Sequence, residues 1–181
     1  MNTQQLNTKW PNVPACFGWL SLDRRGNWRL QGERVTHAGL IEFMNRHYTH
    51  DESGRWLVQN GPQRVFVDLA VTPWVFRLVG HSLFAHTGAP SGRVNALYLD
   101  SEGNLLIDAE IGVGLLDDRD LAAFFSACTD ADNQTATDEA LALLLEGHSP
   151  PVFWSSIPLT AIIAVNLGKR FNFVQVPENP E

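Results

Sequence analysis

Histidines and carboxylates mark the first places where this chain has the residue types for chemistry. His47 and His50 stand three apart beside Asp51 and Glu52. Imidazole and carboxylate donors at that spacing gather around one divalent cation if the helix that carries them continues to Thr49. His47, His50 and Asp51 therefore support one reading as a metal-dependent hydrolase. The competing reading is a solvated helix end, where histidine complements the negative end of the helix dipole. His81 and His86 bracket Leu83-Phe84, and a five-residue spacing sends them to opposite faces of a strand.

Other familiar patterns are incomplete. Ile111-Gly112-Val113-Gly114-Leu115-Leu116 resembles a phosphate-cradling turn, but Asp117 fills the third glycine position and its carboxylate repels a pyrophosphate. The segment reads instead as a flexible connector. Gly80-His81-Ser82-Leu83-Phe84 lacks the last glycine of a nucleophile elbow. Asp130 to Gln134 opens like a calcium loop, yet Thr135 stands where glycine must turn the chain and Leu141 where a bidentate glutamate must bind. A capped helix start is the expectation there. Cys16 and Cys128 have no cysteine neighbour at zinc spacing and read as buried, unreactive thiols. No catalytic constellation emerges, and no cofactor is implied.

Tryptophan and arginine remain. Six tryptophans are present, at positions 10, 19, 28, 56, 74 and 154. Their default role is packing, since each buries on the order of 200 Å². Where they lie beside arginine they form an aromatic, cationic pocket for a small anion or a peptide. Arg29, Arg55, Trp56, Arg64 and Arg77 are the residues expected to line it.

The elements that must position these residues occur twice. Gly26-Asn27-Trp28-Arg29-Leu30 opens a strand leading to a helix stripe of Leu40, Ile41, Phe43 and Met44, and Gly103-Asn104-Leu105-Leu106-Ile107 opens another leading to Leu121, Phe124 and Phe125. Trp56, Pro62 and Val65 to Leu69 then correspond to Trp154, Pro158 and Ile162 to Leu167. Alternation predicts strands over 15–22, 55–59, 63–71, 74–79, 93–99, 104–109, 152–156 and 159–167, with 170–176 closing the sheet. Helices are expected from a Thr36 cap to Tyr48, after Asp117 or Asp118, and over 138–147. The pattern implies an α+β protein of two similar β-hairpin, helix and antiparallel-strand units packed together, 15–92 and 93–177, behind an N-terminal arm at 1–14.

Composition narrows the function classes. A chain of 181 residues with 44% hydrophobic and 18% charged residues has ordinary globular composition. Its net charge of −7 is unevenly spread: residues 1–98 carry ten Lys or Arg against six Asp or Glu, whereas 99–181 carry three against fourteen. The acidic total disfavours nucleic acid, whose phosphate backbone rewards a basic face. Apolar stretches such as 161–165 are far shorter than the roughly 20 residues of a membrane span. Met1 to Lys9 is polar, without the apolar stretch of a secretion signal, so both thiols read as reduced in a cytoplasmic protein.

The Gly26-Asn27-Trp28 strand, the short helix, Gly54-Arg55-Trp56-Leu57-Val58 and Pro62-Gln63-Arg64-Val65-Phe66-Val67 together resemble bacterial families of domains of unknown function. The likeness covers residues 18–79 by motif and the rest by order of elements. Some of these families are built from two copies of a strand-helix-strand unit, and a role in signal transduction has been suggested for them. The resemblance implies a repeated α+β fold and a bacterial origin; the second copy departs from it in having Leu105 where the first has Trp28. The sequence thus points to a non-enzymatic binding or regulatory module that recognises a small anionic ligand or a protein segment. The alternatives are the metal-dependent hydrolase and a structural subunit of a homodimer.

Overall fold

The computed structural model describes residues 11–163 and 166–180. Trp10, most of the expected arm, and residues 164 and 165 of the expected 159–167 strand lie outside them. The chain divides into two compact units, residues 1–73 with 168–181, and residues 74–167.

Unit 1 contains β1 (Ala15–Leu22), β2 (Trp28–Leu30), β3 (Glu33–Arg34), α1 (Ala38–Arg46), β4 (Tyr48–His50), β5 (Trp56–Asn60) and β6 (Gln63–Leu69). They form one sheet in the order β3-β2-β1-β6-β5-β4. Its pairings are antiparallel except β1 with β6, which run parallel. One face carries Leu20, Leu22, Trp28, Leu30, Val58, Val65 and Val67, all buried. Met44 is the fully buried residue of α1. The Trp28 indole donates to Asn45 Oδ1 at 2.7 Å, which joins the helix to the hairpin. The α1 cap is His37 rather than Thr36: its Nδ1 accepts the Leu40 N–H at 3.2 Å and fills one of the first-turn donors.

Unit 2 contains β7 (Trp74–Val79), β8 (Ser82–Ala85), β9 (Val94–Asp100), β10 (Leu105–Ala109), β11 (Gly112–Leu116), a 3-10 turn at Asp118–Asp120, α2 (Leu121–Ser126), α3 (Asp138–Leu145), β12 (Phe153–Trp154) and β13 (Ile157–Ile162). The sheet order is β12-β13-β9-β10-β11-β7-β8. Taken from β11, the run β11-β10-β9-β13-β12 repeats the unit 1 run β3-β2-β1-β6-β5. The parallel pair falls at the same place, β9 with β13. β7 and β8, which a boundary at 92 groups with the first unit, hydrogen-bond into this second sheet through β11.

The shared order rests on a shared turn. Asp23, Asp51, Asp100 and Asp130 each accept two backbone N–H bonds on Oδ1, from residues i+2 and i+4, at 2.8–3.0 Å. At i+3 stand Gly26, Gly54, Gly103 and Asn133, all with positive φ, which glycine and asparagine accept most readily. The carboxylate thus meets two amides that the tight turn leaves without strand partners. Asp23 joins the β1–β2 hairpin and Asp100 the β9–β10 hairpin; Asp51 and Asp130 follow the first helix of each unit. Asp130 is therefore a hairpin turn rather than a helix start, and α3 begins from a Thr137 cap whose hydroxyl accepts the Ala140 N–H at 3.2 Å.

Two further expectations change. Residues 112–116, expected as a flexible connector, are a buried strand. A Cβ on Gly114 would stand 2.3 Å from the Phe76 ring, and one on Gly112 3.1 Å from Trp74 Nε1. These glycines make room for the aromatic side chains of the neighbouring β7, so their spacing reflects packing. The expected closing strand at 170–176 begins as a helix, α4 (Leu167–Phe171), which returns the chain to unit 1. There Val174 bridges Arg55 in parallel, and the Leu69 N–H donates to Gln175 O at 2.8 Å. Gly54 admits this segment, because a Cβ there would lie 2.6 Å from Asn172 O.

Candidate functional site

Strand alternation decides which of the expected site residues can meet. Along β6 the odd positions Val65 and Val67 turn to the face that carries Trp28, while Arg64, Phe66 and Asp68 turn the other way. Registry places Leu57 of β5 against Phe66, and Ser21 of β1 against Asp68 and Arg29. Arg29, Arg55, Arg64 and Phe66 therefore share one face of the unit 1 sheet.

At the centre of that face Phe66 is 1% exposed and stacks on Phe17, with ring centroids 4.3 Å apart and planes 8° from parallel. Two guanidinium groups approach the same ring. Arg55 Cζ lies 4.9 Å from its centroid and Arg64 Cζ 5.6 Å, within the range of a cation–π attraction. Arg55 is also anchored by Asp51, at 2.8 Å from Nε and 2.7 Å from Nη2. Arg64 is exposed, and no carboxylate pairs with it among the described residues. Arg29 stands further along the sheet, bonded to Asp23 at 3.2 Å and to Gly32 O at 3.1 Å. Beyond Arg64, residues 11–14 and the β5–β6 turn at Asn60, Pro62 and Gln63 line an open cleft of about 730 Å³. The Gln63 carboxamide donates to Pro11 O and Val13 O across it.

Asp68 occupies the same face. One of its oxygens is buried without a hydrogen-bond partner, and burial raises its pKa. Asp23 and Asp51 behave differently. Burial pushes both up, but hydrogen bonds outweigh it, from the Asn27 backbone and side chain to Asp23 and from Arg55 to Asp51, so both lie below the usual carboxylate value.

Trp56 does not join the arginines. It is buried on the opposite face, against Tyr48 with ring centroids 4.7 Å apart and His50 at 4.9 Å. Tyr48 in turn packs edge-on to Trp28 and donates to Pro73 O at 2.8 Å. Arg77 belongs to unit 2, where its Nε donates to Asp120 at 2.6 Å. Asp120 also accepts the Leu78 N–H, and the Arg77 hydrogen bond lowers its pKa. Beside them Asp117 is fully buried and accepts the Arg119 backbone N–H and Nε. This is a structural network that fixes the 3-10 turn against β7.

The metal alternative finds its residues in other roles. His47 ends α1, donating its backbone N–H to Phe43 O. His50 Nδ1 lies 3.0 Å from Asp51 O, and the Asp51 carboxylate is occupied by the turn amides and Arg55. Among the described residues no group of three His, Cys, Asp or Glu gathers closely enough to hold a metal. His86 is shut in at Nε2, and burial moves its pKa down to about 3. Cys16 and Cys128 are free and buried; burial raises both thiols, Cys128 to about 12. Thiolates are scarce at neutral pH in such surroundings.

Of the residues expected to line a pocket, Arg55 and Arg64 meet at Phe66, Arg29 shares their face, and Arg77 and Trp56 lie elsewhere; Phe17, Phe66 and Asp68 were not among them. The signal was present in the even positions of 64–68, passed over in favour of the apolar odd ones.

A family model described as "Protein of unknown function (DUF2946)" matches residues 2–178. The structure is similar to that of a DUF1285 family protein from Silicibacter pomeroyi, with a TM-score of 0.53 and 12% identity over 85% of this chain and 84% of that one. A DUF1285 family protein from Shewanella baltica aligns with a TM-score of 0.45 and 14% identity, over 59% of this chain and 89% of that one. No curated protein matches the chain. The first structure shares the fold. Among the described residues no helix is long and apolar enough to cross a membrane.

Proposed function

The chain belongs to that family of unknown function, and from this premise we propose that it is a non-enzymatic binding module whose unit 1 sheet face takes an anionic group. The observation that supports this reading most is the convergence of Arg55 and Arg64 on the Phe66 ring. The aromatic stack restricts the guanidinium groups and removes water from one side of each, which strengthens their attraction for a carboxylate or phosphate. Arg55 is braced by Asp51, leaving exposed Arg64 as the principal contact. Unit 1 as a whole carries ten Lys or Arg against eight Asp or Glu, whereas unit 2 carries three against twelve. An acidic ligand is therefore drawn to unit 1. The ligand is a small anion or the acidic segment of a protein partner, and the role is regulatory, in the cytoplasm of a bacterium and in keeping with signal transduction. The duplicated turns and strand order are those of two copies descended from one unit. The hydrolase alternative draws no support from Asp51, whose carboxylate is already engaged.

Titration with inorganic phosphate and with a short polyglutamate peptide, followed by amide chemical shifts, tests the reading. Perturbations should concentrate at residues 55–66, and Arg64→Ala should weaken binding about tenfold, the loss expected of one charge-assisted contact. Arg77→Ala should leave binding unchanged. Absence of any perturbation by both probes, or perturbations confined to unit 2, would overturn the proposal.

A further inference from the structure

We propose that the free edge of β3 receives an extended segment of another protein as an added strand, and that Arg29 and Arg34 bind a carboxylate side chain on that segment. β3 ends the unit 1 sheet, and β2 is its one strand neighbour among the described residues. Leu30 pairs with Glu33 around the two-residue turn at Gln31 and Gly32, and the Val35 N–H donates to Trp28 O at 2.9 Å. Hydrogen-bonded pairs alternate along an antiparallel ladder. Arg34, between Glu33 and Val35, therefore turns its N–H and C=O away from β2 toward the open edge. Those are the groups with which an added strand pairs.

The side chains select the occupant. Arg34 stands directly opposite Arg29, and a pair of this non-hydrogen-bonded kind brings side chains closest, with Cα atoms about 4.5 Å apart. Like charges so placed oppose folding. The equivalent pair in unit 2 is Leu106 and Leu115, both buried. Arg29 is braced, its Nε donating to Asp23 at 3.2 Å and its Nη1 to Gly32 O at 3.1 Å. Arg34 is exposed, and no carboxylate pairs with it among the described residues. Asp23 balances one of the two positive charges, so one further carboxylate balances the other. An arginine that only discourages edge pairing needs no second arginine behind it on β2. Glu33 points to the opposite face from Arg34, so the residues flanking the incoming acid must be neutral or basic, and a continuous run of acids is repelled. A second copy of this chain is a poorer fit. The other edge strands, β4, β8 and β12, carry no acidic residue, and β3 paired with its own copy about its centre sets Glu33 or Arg34 against itself. The site shares the sheet face of Arg64 and does not depend on it.

The test uses the full chain and a synthetic peptide of about seven residues, an ordinary strand length, with one glutamate centred among threonines and valines. Amide chemical shifts should move at residues 29–35. Glutamine in place of the glutamate should weaken binding about tenfold, the loss expected of one charge-assisted contact. Methylating the backbone nitrogen of the glutamate should weaken it at least as much, by removing the bond to Arg34 O. Arg34→Glu, an exposed substitution that retains the fold, should lose the glutamate peptide and gain its lysine counterpart. Arg64→Ala should leave peptide binding intact, and Arg34→Ala should leave the phosphate perturbations at residues 55–66 intact, so this proposal and the anion contact at Arg64 stand or fall separately. Equal binding of the N-methylated peptide would mean ion attraction without strand addition and would overturn the proposal. Phosphate shifting residues 29–35 as strongly as the peptide does, or no shift there with the peptide, would overturn it as well. Light scattering that shows a dimer dissolved by Arg34→Glu, with no peptide binding, would overturn it in favour of self-association.

Discussion

In unit 1 the tryptophan that anchors the helix sits on the first hairpin, where Trp28 hydrogen-bonds to Asn45 of α1. In unit 2 the corresponding position is Leu105, and the anchoring tryptophan is Trp154 on β12, stacked on Phe124 of α2 with centroids 5.0 Å apart and planes 20° from parallel. Phe124 takes the place of Met44 as the fully buried residue of the covering helix. The two units thus keep one strand order with different side chains between helix and sheet. The comparison teaches that the aspartate turns fix where the strands go, whereas the interior tolerates exchange of large side chains as long as the space is filled.

The largest expected effect separates the two anchors. Trp154→Ala should destabilise by about 3–5 kcal/mol, because it removes a buried ring and leaves a cavity. Asn45→Ala should cost about 1–3 kcal/mol by removing the acceptor that the Trp28 indole uses on α1. Denaturant unfolding measures both, and hydrogen exchange should localise the first to unit 2 and the second to unit 1. Equal losses would show that the units do not differ in how they hold their helices.

Acid should sharpen the contrast. His86 in unit 2 is held neutral by burial, with its pKa near 3. A group depressed in this way contributes stability above its unfolded value of roughly 6.5, and that contribution fades as pH falls toward the folded value. The loss between pH 7 and pH 5 should be as much as ~2 kcal/mol, at most ~1.4 kcal/mol per pH unit. Asp68 in unit 1 has the opposite sign. Its raised pKa means that ionisation weakens the fold as pH rises through the carboxylate range. Thermal unfolding of His86→Gln should accordingly be flatter between pH 7 and pH 5 than that of the wild type. A parallel pH profile would show that His86 titrates normally.

The smallest effect compares equivalent turns. Each aspartate also accepts the carboxamide of its i+4 asparagine, Asn104 at 2.8 Å and Asn27 at 3.0 Å, but Asp100 is 2% exposed whereas the Asp23 side chain is 21% exposed. Asp100→Ala should cost about 1–2 kcal/mol and Asp23→Ala under ~1 kcal/mol, because water reaches the amides that Asp23 leaves behind. The reverse order, read from denaturation midpoints, would break the equivalence of the two turns.

Strands with regular alternation were legible in the sequence: 15–22 and 74–79 agree with β1 and β7 at both ends. So were the β1–β2 and β9–β10 hairpins. What periodicity could not reveal was β11, because Gly112 and Gly114 look like a connector until Phe76 and Trp74 are placed beside them. The return of residues 173–176 to unit 1 depends on pairing across the length of the chain, which a local pattern does not encode. Of the expected anion site, Arg55 and Arg64 were identifiable by type, but their gathering on Phe66 depends on strand parity and registry. Trp56 was misplaced for the same reason: adjacent residues of a strand face opposite ways.

Unit 1 is closed by residues from the far end of the chain. Phe173 is buried, Val174 donates its N–H to Gly54 O at 2.9 Å, and the Gln175 carboxamide donates to Ala70 O at 3.0 Å. Translation proceeds from the N-terminus, so a growing polypeptide possesses every residue of the second unit before it possesses all of the first. The half that begins earliest is therefore finished last, and until then the amino-terminal sheet waits on the ribosome with its final stretch of backbone partners still to be made.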